Sequence, residues 1–136
     1  MIIFDENVHQ QRLMETVAAW YHGRVVSITA LRSGTIIRDD AIPTLLQRMR
    51  QPTFMTTNVT DFWRRVPAHS RYSIVCVALP NNRLSELPPL LRRLFNVSEF
   101  KTKARRMGKV VRVSHRQIHY YAMHAEHIIH IRLWPV

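Results

Sequence analysis

Asp5 and Glu6 follow directly on the apolar run Ile2-Ile-Phe4, Asp39 and Asp40 stand together before Ala41-Ile-Pro43, and Asp61 closes the segment Thr56-Thr-Asn-Val-Thr-Asp61. Carboxylates drawn from separate segments to one place repel each other. The simplest stabiliser is a hard cation, Mg²⁺ or Mn²⁺, which accepts one or two carboxylates and keeps waters. Such an ion lowers the pKa of a bound water and neutralises charge building on a phosphate, so the chemistry open to these acids is metal-assisted phosphodiester hydrolysis. Asp39 or Asp40 would also serve as a helix N-cap, and Asp61 would also hydrogen-bond its own turn. Asp5, a carboxylate straight after a buried strand and beside Glu6 and Asn7, has no capping task as obvious, which makes it the foremost candidate.

For these acids to meet, the elements carrying them must end at one rim. Ile2–Phe4 predicts a short buried strand with acids at its C-terminal end. From His9 to about Tyr21 the apolar positions Leu13, Met14, Val17, Ala18 and Tyr21 predict a helix, with Gly23 as its C-cap. Val25–Ile28 reads as a second strand, Ser33-Gly34 as a turn, and Asp39–Pro43 as the opening of a helix that turns Ile42, Leu45, Leu46 and Met49 to one side. Thr53–Thr56 and Ser73–Leu79 are further strands, the latter apolar enough for the middle of a parallel sheet. Asn58 to Arg71 is a polar loop with room for one helical turn. Pro88 starts a helix to about Phe95 that faces Leu87, Leu90, Leu91 and Leu94 inward. This order predicts an open, mostly parallel α/β sheet covered on both faces, whose ligands sit beyond the carboxyl ends of the strands. The length suits one domain, with a core over residues 1–95 and a basic extension over 98–136. In that extension a basic stretch, helical until Gly108, precedes an edge strand at Val110–Val113 and a terminal hairpin of Ile118–Tyr121 and Ile128–Leu133 around Met123-His-Ala-Glu126.

Charge points to the partner. Twenty Lys and Arg against nine Asp and Glu leave +11, and seventeen of the twenty are Arg, whose planar fork matches phosphate. Residues 1–68 carry a net +2 and residues 69–136 a net +9. Arg64 and Arg65, with Lys101, Lys103, Arg105, Arg106 and Lys109, are the residues expected to draw in an RNA backbone without reading its sequence. Five histidines between His115 and His130 come without cysteine and on predicted strands, so they read as polar strand-face or RNA-facing groups rather than zinc ligands. Trp63, Tyr72, Tyr120 and Tyr121 read as packing residues before stacking platforms. Cys76, the single cysteine, lies in an apolar run and reads as a small buried hydrophobe, and no disulfide can form within the chain. No apolar run reaches the roughly 18 residues of a membrane span, so a reducing cytoplasm is the expected compartment.

Phe4-Asp-Glu-Asn7, an Asp opening the second helix, and Met55-Thr-Thr-Asn-Val-Thr-Asp-Phe62 together resemble the PIN-like proteins, a branch of the PilT N-terminus nucleases that includes relatives of the VapC-type toxins. The resemblance covers about residues 1–95. It implies a Rossmann-like, PIN-type three-layer sandwich, an acidic site for Mg²⁺ or Mn²⁺ and endoribonuclease activity. By position, Asp5 would be the first metal-site acid and Asp39 or Asp40 the second, with Asp61 completing the set. Glu6, Asn7, Thr57 and Asn58 would position water or phosphate. The family's Thr-x-Asp-x-Asp-Phe segment places its first Asp at Val59 here, which cannot bind metal and implies a weakened or dead site. The partners implied are RNA and, for a toxin, a small antitoxin covering the acidic rim; a homodimer is also compatible. A catalytically silent RNA- or partner-binding module on the same scaffold is the alternative that Val59 and the basic tail would suit.

Overall fold

The computed structural model describes residues 1–8, 10–31, 38–123 and 127–132. His9, the expected turn at Ser33-Gly34, His124 to Glu126 of the expected hairpin turn, and Leu133 lie outside the described residues. Strand β1 (Ile2–Phe4) runs parallel to both of its neighbours, β2 (Val25–Ser27) and β3 (Thr53–Thr56). Beyond β3 come β4 (Ser73–Val77) and β5 (Lys109–Val113), each parallel to the strand before it. The antiparallel β6 (Gln117–Ala122) and β7 (Ile129–Arg132) complete a seven-stranded sheet in the order β2-β1-β3-β4-β5-β6-β7. The chain leaves β1 toward β2 and returns to the other side for β3, so the order reverses between β1 and β3. In an open parallel sheet such a reversal opens a crevice at the carboxyl ends of the strands.

Strand alternation assigns the two faces. Ile2, Phe4, Met55, Val75, Val77, Val111 and Val113 pack in one layer with Leu13 and Val17 of α1 (Gln11–Ala18) and the buried leucines of α5 (Leu87–Leu94). Ile3, Phe54, Ile74, Cys76 and Val110 point the other way. They meet Ile28 of α2 (Ile28–Leu31), Ile42 and Leu46 of α3 (Ile42–Leu46) and Phe62 of α4 (Val59–Phe62). The result is three layers, helix on sheet on helix. All five residues of β4 are buried, as its apolar run predicts for a strand in mid-sheet. Tyr72 and Tyr120 are also buried, and Trp63 packs against Tyr121 with ring centroids 5.3 Å apart.

Three expectations need correction. Val110–Val113 is not an edge strand: Val110, Val111 and Val113 are fully buried, and β5 lies between β4 and β6. Residues 98–132 therefore complete the sheet rather than extend it. Gly23 is not a left-handed helix cap, since among the described residues only Gln51, Arg64 and Gly108 have positive φ. Helix α1 ends at Ala18, and the amides of Trp20 and Tyr21 both fall on the Val17 carbonyl. A Cβ at Gly23 would stand 2.6 Å from the outer edge of the Tyr21 ring, so a side chain there would have to displace that ring. Gly108, at φ +82°, turns the chain from α6 (Lys103–Arg106) into β5 and donates its amide to the Tyr72 carbonyl at 3.0 Å.

Candidate active site

Asp5 is the residue that follows β1, and its amide continues the ladder by donating to the Met55 carbonyl of β3 at 2.8 Å. Phe4 pairs with Met55, so the next residue of each strand, Asp5 and Thr56, fall side by side and point to the same face. The Thr56 hydroxyl donates to Oδ2 of Asp5 at 2.7 Å, and the Glu6 amide donates to Oδ1 at 2.8 Å. Thr56 Oγ1 also accepts from the Asn58 amide at 2.9 Å. Asp5 is only 2% exposed. Burial pushes its carboxyl above the usual carboxylate range, the two hydrogen bonds pull it partly back, and the charge of Glu6 pushes it up again.

Asp39 approaches from the 3₁₀ turn Asp39–Ala41 that precedes α3. Its capping use is not observed: the side chains preceding this turn and α3 make no cap hydrogen bond, and Asp39 and Asp40 lie inside the turn. The Asp39 carboxyl is raised first by burial, then by the charges of Asp5 and Asp61, by a hydrogen bond with the Asp61 carboxyl, and by Glu6. Asp39 is thus the member of its pair in electrostatic contact with acids from two other segments, while Asp40 is exposed on the same cleft. Asp61, on α4, does serve its own turn: it accepts from Asn58 Nδ2 at 2.7 Å, and its amide donates to Asn58 Oδ1 at 3.3 Å. Its carboxyl also interacts with that of Asp39. A cleft of about 430 Å³ lined by Asp39, Asp40, Asp61 and Arg65 lies over this rim. It shares Arg65, Val66 and Pro67 with a second cleft of about 670 Å³ that takes in Arg64, Tyr121 and His127.

Among the described residues, no three His, Cys, Asp or Glu side chains stand close enough together to hold one ion. The donor set fits a more open arrangement. Two carboxylates, Asp39 and Asp61, do line one cleft, and such a pair would suit Mg²⁺ that keeps most of its waters. Val59 is the first residue of α4, half-buried against the layer of Phe54 and Phe62, and supplies no oxygen.

The remaining expected residues divide. Glu6 and Asn7 are exposed in the 3₁₀ turn after Asp5, and Thr57 is half-buried beside Thr56. Arg64 and Arg65 flank the acidic cleft. The basic stretch does not. Lys109 starts β5, and Arg106 Nε donates to the hydroxyl of Thr53, the first residue of β3, at 3.2 Å. That stretch therefore sits at the amino ends of the strands, about 10 Å of strand away from Asp5. Arg106 is 3% exposed, with its guanidinium turned onto Thr53, Phe100 and Tyr21. Arg105 donates from Nη1 to both oxygens of Ser98 at 2.9 Å, and Lys109 donates to the Glu99 carbonyl at 2.8 Å. Lys101 and Lys103 are exposed. Of the histidines, His115 pairs with Glu86 at 2.9 Å and His119 stacks on His130 across β6 and β7 at 4.5 Å.

Thr56, and not the expected Thr57, touches Asp5. The available signal was register: with period two, the residue after Met55 faces the residue after Phe4. No protein-family model, curated protein or solved structure matches the chain.

Proposed function

We propose that the chain is a Mg²⁺- or Mn²⁺-dependent endoribonuclease of the PIN-like type, with Asp39 and Asp61 holding the ion and Asp5 behind them. One observation carries this reading. Asp39, with no capping work to do, is held against the charges of Asp5 and Asp61 at the crevice where the strand order reverses. An acid raised by the charges of two others from separate segments, at the ligand-binding end of a parallel sheet, costs stability, and function is the usual reason such a cost persists.

In this reading the bound ion lowers the pKa of a water and offsets charge on the phosphate. The protein's own residues do the rest. Thr56 and the Glu6 amide fix the Asp5 carboxylate, so its charge has one orientation. Asn58 fixes one oxygen of Asp61, and that carboxyl, with Asp39, would take the ion. Arg64 and Arg65, on the joined clefts, hold the backbone of a strand passing over the acids. The expected toxin role, with a small antitoxin over the acidic rim, belongs to the same proposal.

The alternative, a silent RNA-binding module on this scaffold, draws on Val59 and on the open spacing of the acids. The experiment that separates the two is Mn²⁺ titration with parallel cleavage of a single-stranded RNA by wild type and Asp39→Asn. The nuclease reading expects Mn²⁺ binding and Mn²⁺-dependent cleavage, both lost in Asp39→Asn. RNA binding with no Mn²⁺ uptake in the wild type would establish the module instead.

A further inference from the structure

Arg106 is a buried cation with no counter-charge among the described residues. Its guanidinium lies 4.0 Å over the Phe95 ring and donates to the Thr53 hydroxyl at 3.2 Å, the Phe100 carbonyl at 2.9 Å and the Tyr21 hydroxyl at 3.4 Å. Each acceptor is neutral. Among the described residues the ion pairs are those of Glu86 with Arg83 and His115, so no carboxylate answers Arg106. Buried charges are ordinarily paired, because leaving water costs them far more than neutral acceptors return. Burial indeed holds the Arg106 guanidinium below its ordinary pKa. A guanidinium has five N–H donors, and three acceptors leave two of them over.

The surroundings add charge of the same sign. Arg106 lines a cleft of about 490 Å³ together with Arg92, Lys101 and Lys103, and among the described residues no Asp or Glu lines it. Lys101 and Lys103 are exposed. Trp20, half-buried, forms an aromatic wall, edge-on to Phe95 at 6.0 Å and with the Arg92 guanidinium 6.0 Å over its ring. Four cations, two of them planar, beside an indole are the groups that take a phosphate at one end and a flat heterocycle at the other. The volume lies in the range of small-ligand sites.

We propose that this cleft, at the rim opposite the acids, binds one nucleotide, its phosphate on Lys101, Lys103 and the inner donors of Arg106 and its base against Trp20 and Arg92. The site is separate from the acidic crevice and stands whether or not the chain cleaves RNA. A free nucleotide and one unit of an RNA strand present the same chemistry.

The test is equilibrium dialysis of the whole chain with AMP, adenosine, inorganic phosphate and an RNA pentanucleotide. AMP should bind at least about tenfold more tightly than adenosine or phosphate, and Lys101→Ala/Lys103→Ala should weaken AMP by about tenfold or more. Both lysines are exposed, so the double variant keeps its fold. Asp5→Asn should leave AMP binding unchanged. A pentanucleotide that binds more tightly than AMP, and is weakened by the same double variant, makes the natural ligand a strand; weaker binding than AMP makes it a free nucleotide. AMP affinity unchanged in the lysine variant, lost in Asp5→Asn, or equal to that of phosphate alone would overturn the proposal.

Discussion

Thr56 gives its hydroxyl proton to Asp5 and its oxygen to the Asn58 amide, so one buried threonine ties the end of β1 to the loop that delivers Asp61. Thr56→Val keeps the shape and removes both bonds. The cost should be about 1–3 kcal/mol, that of leaving buried polar partners unanswered. Urea denaturation measures it, and Thr56→Ser should recover most of the loss. Equal stability of Thr56→Val and wild type would mean that the threonine does not hold Asp5.

Asp39 sets the pH dependence. Its folded pKa lies above its ordinary value, so between the two the folded chain holds more protons than the unfolded one. Stability contributed by this group is then greatest at low pH and falls as pH rises through the window. Asp39→Asn lacks the penalty, so without metal it should melt above wild type near neutral pH, and the gap should close on acidification. Mn²⁺ must displace the same protons, so its stabilisation of wild type should grow as pH rises. A metal-free gap that widens toward low pH would contradict the assignment.

Val59 stands where an acid is expected by resemblance. Val59→Asp puts a carboxyl two residues before Asp61, at the expense of packing against the layer of Phe54 and Phe62, and should lose about 1–3 kcal/mol of stability. Mn²⁺ affinity should rise in isothermal titration, since a further oxygen joins Asp39 and Asp61. Asp5→Asn, which keeps shape and drops charge, should lower Mn²⁺ affinity in both backgrounds. If neither variant moves Mn²⁺ binding, the acids are structural.

Cys76 is fully buried on β4, and burial pushes its thiol up to about 12. In the folded protein it should not react with a thiol reagent at neutral pH, and labelling should follow the rate of global opening in mild denaturant. Fast labelling in native buffer would place β4 outside the stable core.

The parts of this fold legible in the sequence are those where one physical signal dominates. The apolar run Ser73–Val77 predicts a mid-sheet strand, and Leu87, Leu90, Leu91 and Leu94 predict the buried face of α5. Asp5 stood out because an acid after a buried strand has little else to do. The position of β5 was hidden by Lys109 and Arg112, which resemble edge charges. Arg112 instead lies half-buried in register with His119, and Lys109 rests over the Phe100 and Tyr120 rings. Thr56 was hidden because the choice between neighbouring threonines depends on pairing register, which one strand alone does not carry. The rim occupied by the basic stretch was hidden for a similar reason: nearness along the chain does not say at which end of the sheet Gly108 turns it.

Arg106 and its lysines stand at the amino ends of the strands, and Arg64 and Arg65 stand with the acids at the carboxyl ends. A polyanion is therefore drawn to both ends, and a strand caught at the amino ends does not reach the acids. At low ionic strength the basic cleft would act as a decoy that competes with the acidic crevice for the same strand. Salt weakens both holds, since each rests on phosphate contacts.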